Sequence, residues 1–174
     1  DALVIGPGML DPDAAARLAL SLAAPRARVI DAAALCALAA PPGPNAVLTP
    51  HDGEMAKLMR VEPGDVAADR PGIARDAARR FDAVVALKGG ETIVAAPDGR
   101  CWRYRDGRVG LATSGSGDTL AGLVGGLLAR GTDPVTATLW AVHLHGEAGN
   151  RLPPLGFLAR ELLDEIPRLL AERA

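Results

Sequence analysis

The sequence predicts an α/β domain, a mostly parallel sheet flanked by helices on both faces, and three observations carry that expectation. Short apolar, β-branched runs alternate with segments of helical period along the chain. These runs end in turn-forming or charged residues, as at Gly6-Pro7-Gly8, Asp31, Thr49-Pro50-His51 and Lys88-Gly89-Gly90. From Asp118 onward the pattern is helical throughout. The 174 residues fit one domain. A domain of this size hides roughly two-thirds of its unfolded surface, enough for a core without staples.

Leu3–Ile5 reads as a short buried strand that breaks at Gly6-Pro7-Gly8. A helix follows from Pro12, with Asp11 as its N-cap and proline at the first helical position. Arg28–Ile30 is a second strand, Ala32–Ala39 one or two helical turns, and Pro41-Pro42-Gly43-Pro44 a break. Ala46–Leu48 resumes as a third strand, followed by helices over Gly53–Arg60 and Asp65–Arg80. Ala83–Leu87 is the clearest strand, continuous and β-branched. Thr92–Ala96 and Cys101–Tyr104 flank Pro97-Asp98-Gly99 and predict a hairpin. Helices over 118–130, 134–149 and 157–172 complete the chain. No internal repeat or low-complexity linker divides it, so residues 1–174 are read as a single domain.

Composition narrows the function. Hydrophobic residues make up 49% and charged residues 23%, as expected of a soluble globular protein. The net charge of −2 provides no basic field for nucleic acid or an acidic membrane. Aromatics are 3%, so the core must come from Ala, Val, Leu and Ile, and a base-stacking surface is disfavoured. The longest apolar stretch, Leu120–Ala129, is too short for a bilayer and carries Gly122, Gly125 and Gly126. Cys36 and Cys101 show no metal-ligand spacing and read as buried thiols in a reducing cytoplasm.

Three segments carry chemistry. In Thr113-Ser114-Gly115-Ser116-Gly117-Asp118, glycines let the backbone turn tightly and aim several N–H groups one way. The positive end of the following helix adds to them, giving a site for phosphate oxygens. Asp118 stands at the mouth of that site, where a carboxylate could take the proton of a hydroxyl attacking a phosphoryl group. A plain N-cap would use the same residue types. In Thr49-Pro50-His51-Asp52-Gly53-Glu54, the spacing predicts His51 and Glu54 on one face at a helix start, over the carboxyl ends of the strands. Glu54 suits either the helix dipole or a water-mediated magnesium site. Lys88-Gly89-Gly90-Glu91-Thr92 leaves room for a flat ligand against backbone with a cation beside it, or forms an ordinary turn. His143, His145 and Glu147 read as helix packing residues. Trp102 and Trp140 also read as packing, and Arg75, Arg79 and Arg80 as a solvated helix face.

Taken in order, Gly6-Pro7-Gly8, Asp31-Ala32, Leu48–Glu54, Leu87–Thr92 and Ala112–Asp118 resemble the ADP/ATP-dependent NAD(P)H-hydrate dehydratases. These are ribokinase-like enzymes that repair damaged nicotinamide cofactors. The resemblance extends over Ala96-Pro97-Asp98-Gly99 and Ala141–Gly149. It implies that Lys88, Gly89, Gly90, Glu91 and Thr92 bind the adenosine phosphate end of ADP or ATP, with Gly115, Ser116 and Gly117 at the phosphates. Asp118 and His51 would face hydrated NADH or NADPH, and Gly6 and Gly8 would line that substrate site. Asp118 would be the base, and Mg2+ would accompany the nucleotide, with Glu54 holding it through water.

The resemblance further implies a homo-oligomer, with a tetramer as the form to test, and an epimerase partner, fused or separate. It also implies that the family's domain extends further at the N-terminus. Met9-Leu10 and Ser114 stand where the family carries glycine, Ala33 where it carries an acid, and Arg108-Val109 where it carries Asn-Pro. Two alternatives compete. One is a ribokinase-like kinase of a vitamin precursor or sugar, against which His51 argues. The other is a non-catalytic nucleotide-binding remnant, motivated by the replaced loop residues.

Overall fold

The computed structural model describes residues 1–21 and 26–172. Six strands form one sheet in the order β1-β2-β3-β4-β5-β6. These are β1 (Ala2–Ile5), β2 (Ala27–Ile30), β3 (Ala46–Leu48), β4 (Val84–Leu87), β5 (Thr92–Ala95) and β6 (Cys101–Tyr104). The first four run parallel, and β5 and β6 return as the antiparallel hairpin that the turn at Pro97-Asp98-Gly99 predicts.

Strand order follows chain order, so every crossover between parallel strands steps the same way across the sheet. The crossover helices α1 (Pro12–Ser21), α2 (Ala33–Cys36), α3 (Asp52–Met59), α4 (Pro63–Ala68) and α5 (Arg70–Phe81) accordingly collect on one face. There Ile30, Leu48, Val85 and Ile93 meet Leu35, Met55 and Phe81. Alternate strand residues Val29, Val47, Val84 and Val94 point to the other face. That face is covered by α6 (Ser116–Ala129) and α7 (Pro134–Arg151) through Leu120, Val124, Leu128 and Ala141. Beyond them α8 (Leu162–Ala171) packs Leu162, Ile166 and Leu169 against Leu144 and Ala148 of α7. Alanines at 15, 19, 34, 74, 77 and 78 are fully buried, so small side chains bring helices close to the sheet, as the scarcity of aromatics requires.

Several expectations need correction. The single helix expected over Asp65–Arg80 is two, α4 and α5. One continuous helix would place Pro71 in its interior, where it has no N–H to donate and its ring clashes with the preceding turn. Asp69 instead caps α5 by accepting from the Gly72 N–H at 2.9 Å. The last helix starts at Leu162, after a 3-10 turn over Ala159–Glu161, while α2 is a single turn, within the one or two expected over Ala32–Ala39. Cys36 is exposed and Cys101 half-buried rather than both buried, and both are free thiols. Trp140 is 42% exposed and meets the ring of His143 edge-on, while Trp102 packs partly buried on the sheet. No helix among the described residues is long and apolar enough to cross a membrane.

Candidate nucleotide and substrate site

The parallel strands deliver their distinctive residues to one edge of the sheet. At the end of β1, Gly6 has φ +115°, and a Cβ there would lie 1.8 Å from the Asp31 carbonyl oxygen. Only glycine lets β1 turn against β2 in this way. Asp31, at the end of β2, is 2% exposed and accepts a hydrogen bond from Lys88 Nζ at 2.7 Å. A carboxylate so buried requires a cation, and Lys88 at the end of β4 supplies it. The next residue, Ala32, has φ +46°, so the backbone beside this pair is strained. The Lys88 N–H donates to the Pro50 carbonyl at 2.8 Å, which extends the β3–β4 ladder one step and sets His51 beside Lys88.

The Lys88 ammonium also meets α6. A Cβ on Gly117 would lie 3.4 Å from Nζ, so the absent side chain keeps the helix N-terminus open to that charge. An ammonium and the positive end of a helix dipole converge on the same space, and both favour an anion there. Gly115, at φ +86°, is the N-cap, and α6 begins at Ser116, two residues earlier than expected. Asp118 therefore sits in the first turn of α6 rather than ahead of it. It is exposed and has no hydrogen-bond or ion-pair partner among the described residues.

His51 and Glu54 stand together at the start of α3, as the spacing predicts, with His51 as the N-cap and the two closing a capping box. His51 Nδ1 accepts from the N–H groups of Gly53 and Glu54 at 3.0 and 3.2 Å, and Glu54 Oε2 accepts from the His51 N–H at 2.8 Å. With Nδ1 accepting, the ring proton lies on Nε2. Glu54 Oε2 is also 3.8 Å from Lys88 Nζ.

A cavity of 740 Å3 opens between the β4–β5 loop, β6 and the start of α6, a size that suits a nucleotide. Of the residues singled out from sequence, His51, Lys88, Gly89, Gly90, Thr92, Ser116 and Gly117 line it. Gly6, Gly8, Glu54, Glu91, Gly115 and Asp118 do not. Gly6 and Gly8 shape the turn after β1, Gly8 being exposed. Glu91 is tied to Arg105 at 2.7 Å and Arg103 at 3.7 Å, and the Arg105 hydrogen bond holds its carboxyl below the usual range. Asp118 borders a separate apolar groove of 570 Å3 between α6 and α8, with Gly122, Leu163 and Leu170. The anion site thus has the cavity on one side and Asp118 on the other.

Two wall residues escaped the sequence. His145 of α7 is buried, with Nε2 at 2.9 Å from Ser116 Oγ and 3.0 Å from Ser116 O. A carbonyl can only accept, so Nε2 carries the proton. Burial drives the His145 pKa down to about 4, against the opposing hydrogen bond to the Ser116 carbonyl and with help from the Lys88 charge. Tyr104 of β6 donates to Glu147 Oε1 at 3.1 Å, and burial, then the Glu147 charge, pushes its pKa up. Gly146 makes room for that ring, since a Cβ there would lie 2.2 Å from the Tyr104 hydroxyl. Alternation within a helix disguises such residues. The available signal was the His145-Gly146 and Gly149 pattern, in which helix-interior glycines mark close approach.

Known proteins resemble this chain in sequence and fold. The family model described as NAD(P)H-hydrate dehydratase matches residues 1–168. The ADP-dependent (S)-NAD(P)H-hydrate dehydratase of Xanthomonas campestris is 47% identical over 98% of this chain, which covers 61% of that protein. A bifunctional NAD(P)H-hydrate repair enzyme of Moorella thermoacetica is 40% identical over 98% of this chain and 34% of its own length. The crystal structure of the Bacillus subtilis ADP/ATP-dependent NAD(P)H-hydrate dehydratase, co-crystallised with ATP and Mg2+ and soaked with CoA, superposes with TM-score 0.86 at 33% identity. That match covers 99% of this chain and 66% of the other. The chain therefore spans about three-fifths of the first of these relatives, and its sheet and helices have the expected ribokinase-like architecture. By sequence and by fold, this chain belongs to the NAD(P)H-hydrate dehydratase family.

Proposed function

We propose that this chain carries the nucleotide site of an ADP- or ATP-dependent dehydratase acting on hydrated NADH or NADPH. The observation that supports this best is the meeting of Lys88 and the N-terminus of α6 at Gly117, on the wall of a nucleotide-sized cavity. In this reading Lys88, Gly89, Gly90 and Thr92 hold the nucleotide, and the amides of Gly115 and Gly117 take the charge of the transferred phosphoryl group, with the Ser116 amide holding the turn through the Thr113 carbonyl. Glu91 acts through its backbone, since its carboxylate is engaged by arginines.

The hydrated cofactor occupies the other side of the anion site, bounded by Asp118 and the Gly6–Gly8 turn, with His51 reached from the cavity side. Asp118 takes the proton of the hydrate hydroxyl as its oxygen attacks the terminal phosphorus, and the bond from that phosphorus to the nucleotide breaks. Phosphate then leaves with the C–O bonding electrons, a proton leaves the neighbouring ring carbon, and the ring double bond returns. A phosphate ester is a far better leaving group than hydroxide, so nucleotide cleavage drives the dehydration. Magnesium fits as a companion of the nucleotide. No group of three His, Cys, Asp or Glu among the described residues could hold it alone. Glu54, 13% exposed beside Lys88, would hold it through water, and the ion would offset the charge of the phosphates.

An epimerase partner acting on the same hydrates, a homo-oligomeric assembly and a cytoplasmic location belong to the same proposal. The test is the recovery of reduced-nicotinamide absorbance after adding hydrated NADH, Mg2+ and either ADP or ATP. A nucleotide-dependent recovery lost in Asp118→Asn is the expected result. A folded protein that binds ADP but restores no absorbance would overturn the dehydratase and favour a small-molecule kinase or a non-catalytic nucleotide binder.

A further inference from the structure

Arg70 is the first residue of α5, and its guanidinium lies outside the cavity, behind the β4–β5 loop. Nη2 stands 3.1 Å from the Leu87 carbonyl, 3.1 Å from the Lys88 carbonyl and 2.9 Å from the Glu91 carbonyl, while Nη1 donates to Asp52. One cation therefore gathers three carbonyls, that of Leu87 at the end of β4 and those of Lys88 and Glu91 in the loop, and ties them to the first residue of α3. Two segments distant in sequence, Thr49–Glu54 and Leu87–Thr92, are thereby joined through a residue outside both. Gly89 fits the same arrangement, because a Cβ there would fall 2.7 Å from Arg70 Nη2. The Arg70 side chain is 16% exposed, so the interaction is shielded from competing water. Without the guanidinium, three carbonyls at the turn of a short hairpin lose their shared donor. A Gly-Gly loop then has little to hold it in one shape.

We propose that Arg70, oriented by Asp52, is a positioning residue that fixes the Lys88–Glu91 loop as the wall of the nucleotide cavity and so sets nucleotide affinity. The effect on affinity rests on the nucleotide reading above, whereas the ordering of the loop does not. Arg70→Lys keeps the charge but cannot span three carbonyls and a carboxylate with a planar fork. Asp52→Asn leaves Arg70 in place without its outer anchor, at a position 44% exposed where the fold tolerates change.

The experiment is amide hydrogen exchange of the ligand-free full chain, with thermal unfolding and ADP titration of the same samples. Arg70→Lys is expected to raise exchange at residues 88–91 while core strands exchange as in the parent, and to weaken ADP binding about tenfold. Asp52→Asn is expected to move both readouts the same way by less. Unchanged exchange at 88–91 in both variants would overturn the proposal, as would an increase spread evenly over the sheet. Local loosening in a parent chain that binds no ADP would support the latch and overturn the nucleotide reading instead.

Discussion

His145 loses its water where α7 closes over the start of α6, and it is held neutral by that burial rather than by a charged partner. The unfolded chain takes up a proton on this ring near the ordinary value of 6.5, and the folded chain only near 4. The stability from keeping His145 neutral is therefore complete above about pH 6.5 and is lost as pH falls toward about 4. The difference corresponds to roughly 3 kcal/mol. His145→Gln keeps a donor for the Ser116 carbonyl and removes the titration. Urea unfolding at about pH 7 and about pH 4 should show a steeper acid loss in the parent than in the variant. Equal losses would mean that the ring meets water in the folded state. At the same scale, Asp31 and Lys88 show how much a single position conceals. The Lys-Gly-Gly sequence marks a cation beside a flat ligand, but nothing in it indicates the buried carboxylate 57 residues upstream that holds that cation.

Helix α7 is shaped by two glycines that a helix would normally avoid. A Cβ on Gly146 would fall 2.2 to 2.3 Å from three atoms of Tyr104, and one on Gly149 would fall 2.7 Å from Leu111. Both neighbours line the cavity, so close approach of α7 sets the width of its wall. Gly146→Ala gains about 1 kcal/mol of helix propensity but must displace the Tyr104 ring, at a cost of about 1 to 3 kcal/mol. We expect a lower melting temperature and weaker ADP binding. Adding Tyr104→Ala should recover part of both, since the pair shares one clash. If the double variant lost the sum of the single losses, the contact would not be the cause. Helical glycines are visible in sequence, but their partner residues lie on β6 and the 3-10 turn over Val109–Ala112, which pattern alone does not place.

For the whole molecule, the cavity joins elements from both layers: the β4–β5 loop, β6, α6 and α7. A ligand that bridges them binds the folded state and not the unfolded chain. At a hundredfold excess over its Kd, ADP should add about 2.7 kcal/mol of stability. The thermal shift should survive Asp118→Asn, because Asp118 lies outside the cavity while Lys88 lines it. Loss of the shift with Asp118 would place this carboxylate in nucleotide binding rather than in proton transfer. Light scattering on the same samples would read the assembly state.

The sequence by itself determined the α/β class, all six strands, the hairpin and the strand-end motifs. These depend on side-chain period and turn chemistry, which are local. It also marked the segment around Gly115–Asp118 as a candidate phosphate site and Lys88 as a cation beside a flat ligand. The tertiary structure decided which strand ends meet, and with them the Asp31–Lys88 pair, the His145 contact to Ser116 and the grip of Arg70 on the loop. Each of these joins residues far apart in the chain, so its free energy exists only once the sheet is assembled and water has been excluded. The break at Asp69, by contrast, is local. Helical periodicity runs through it, while Pro71 and the Asp69 cap stop the backbone.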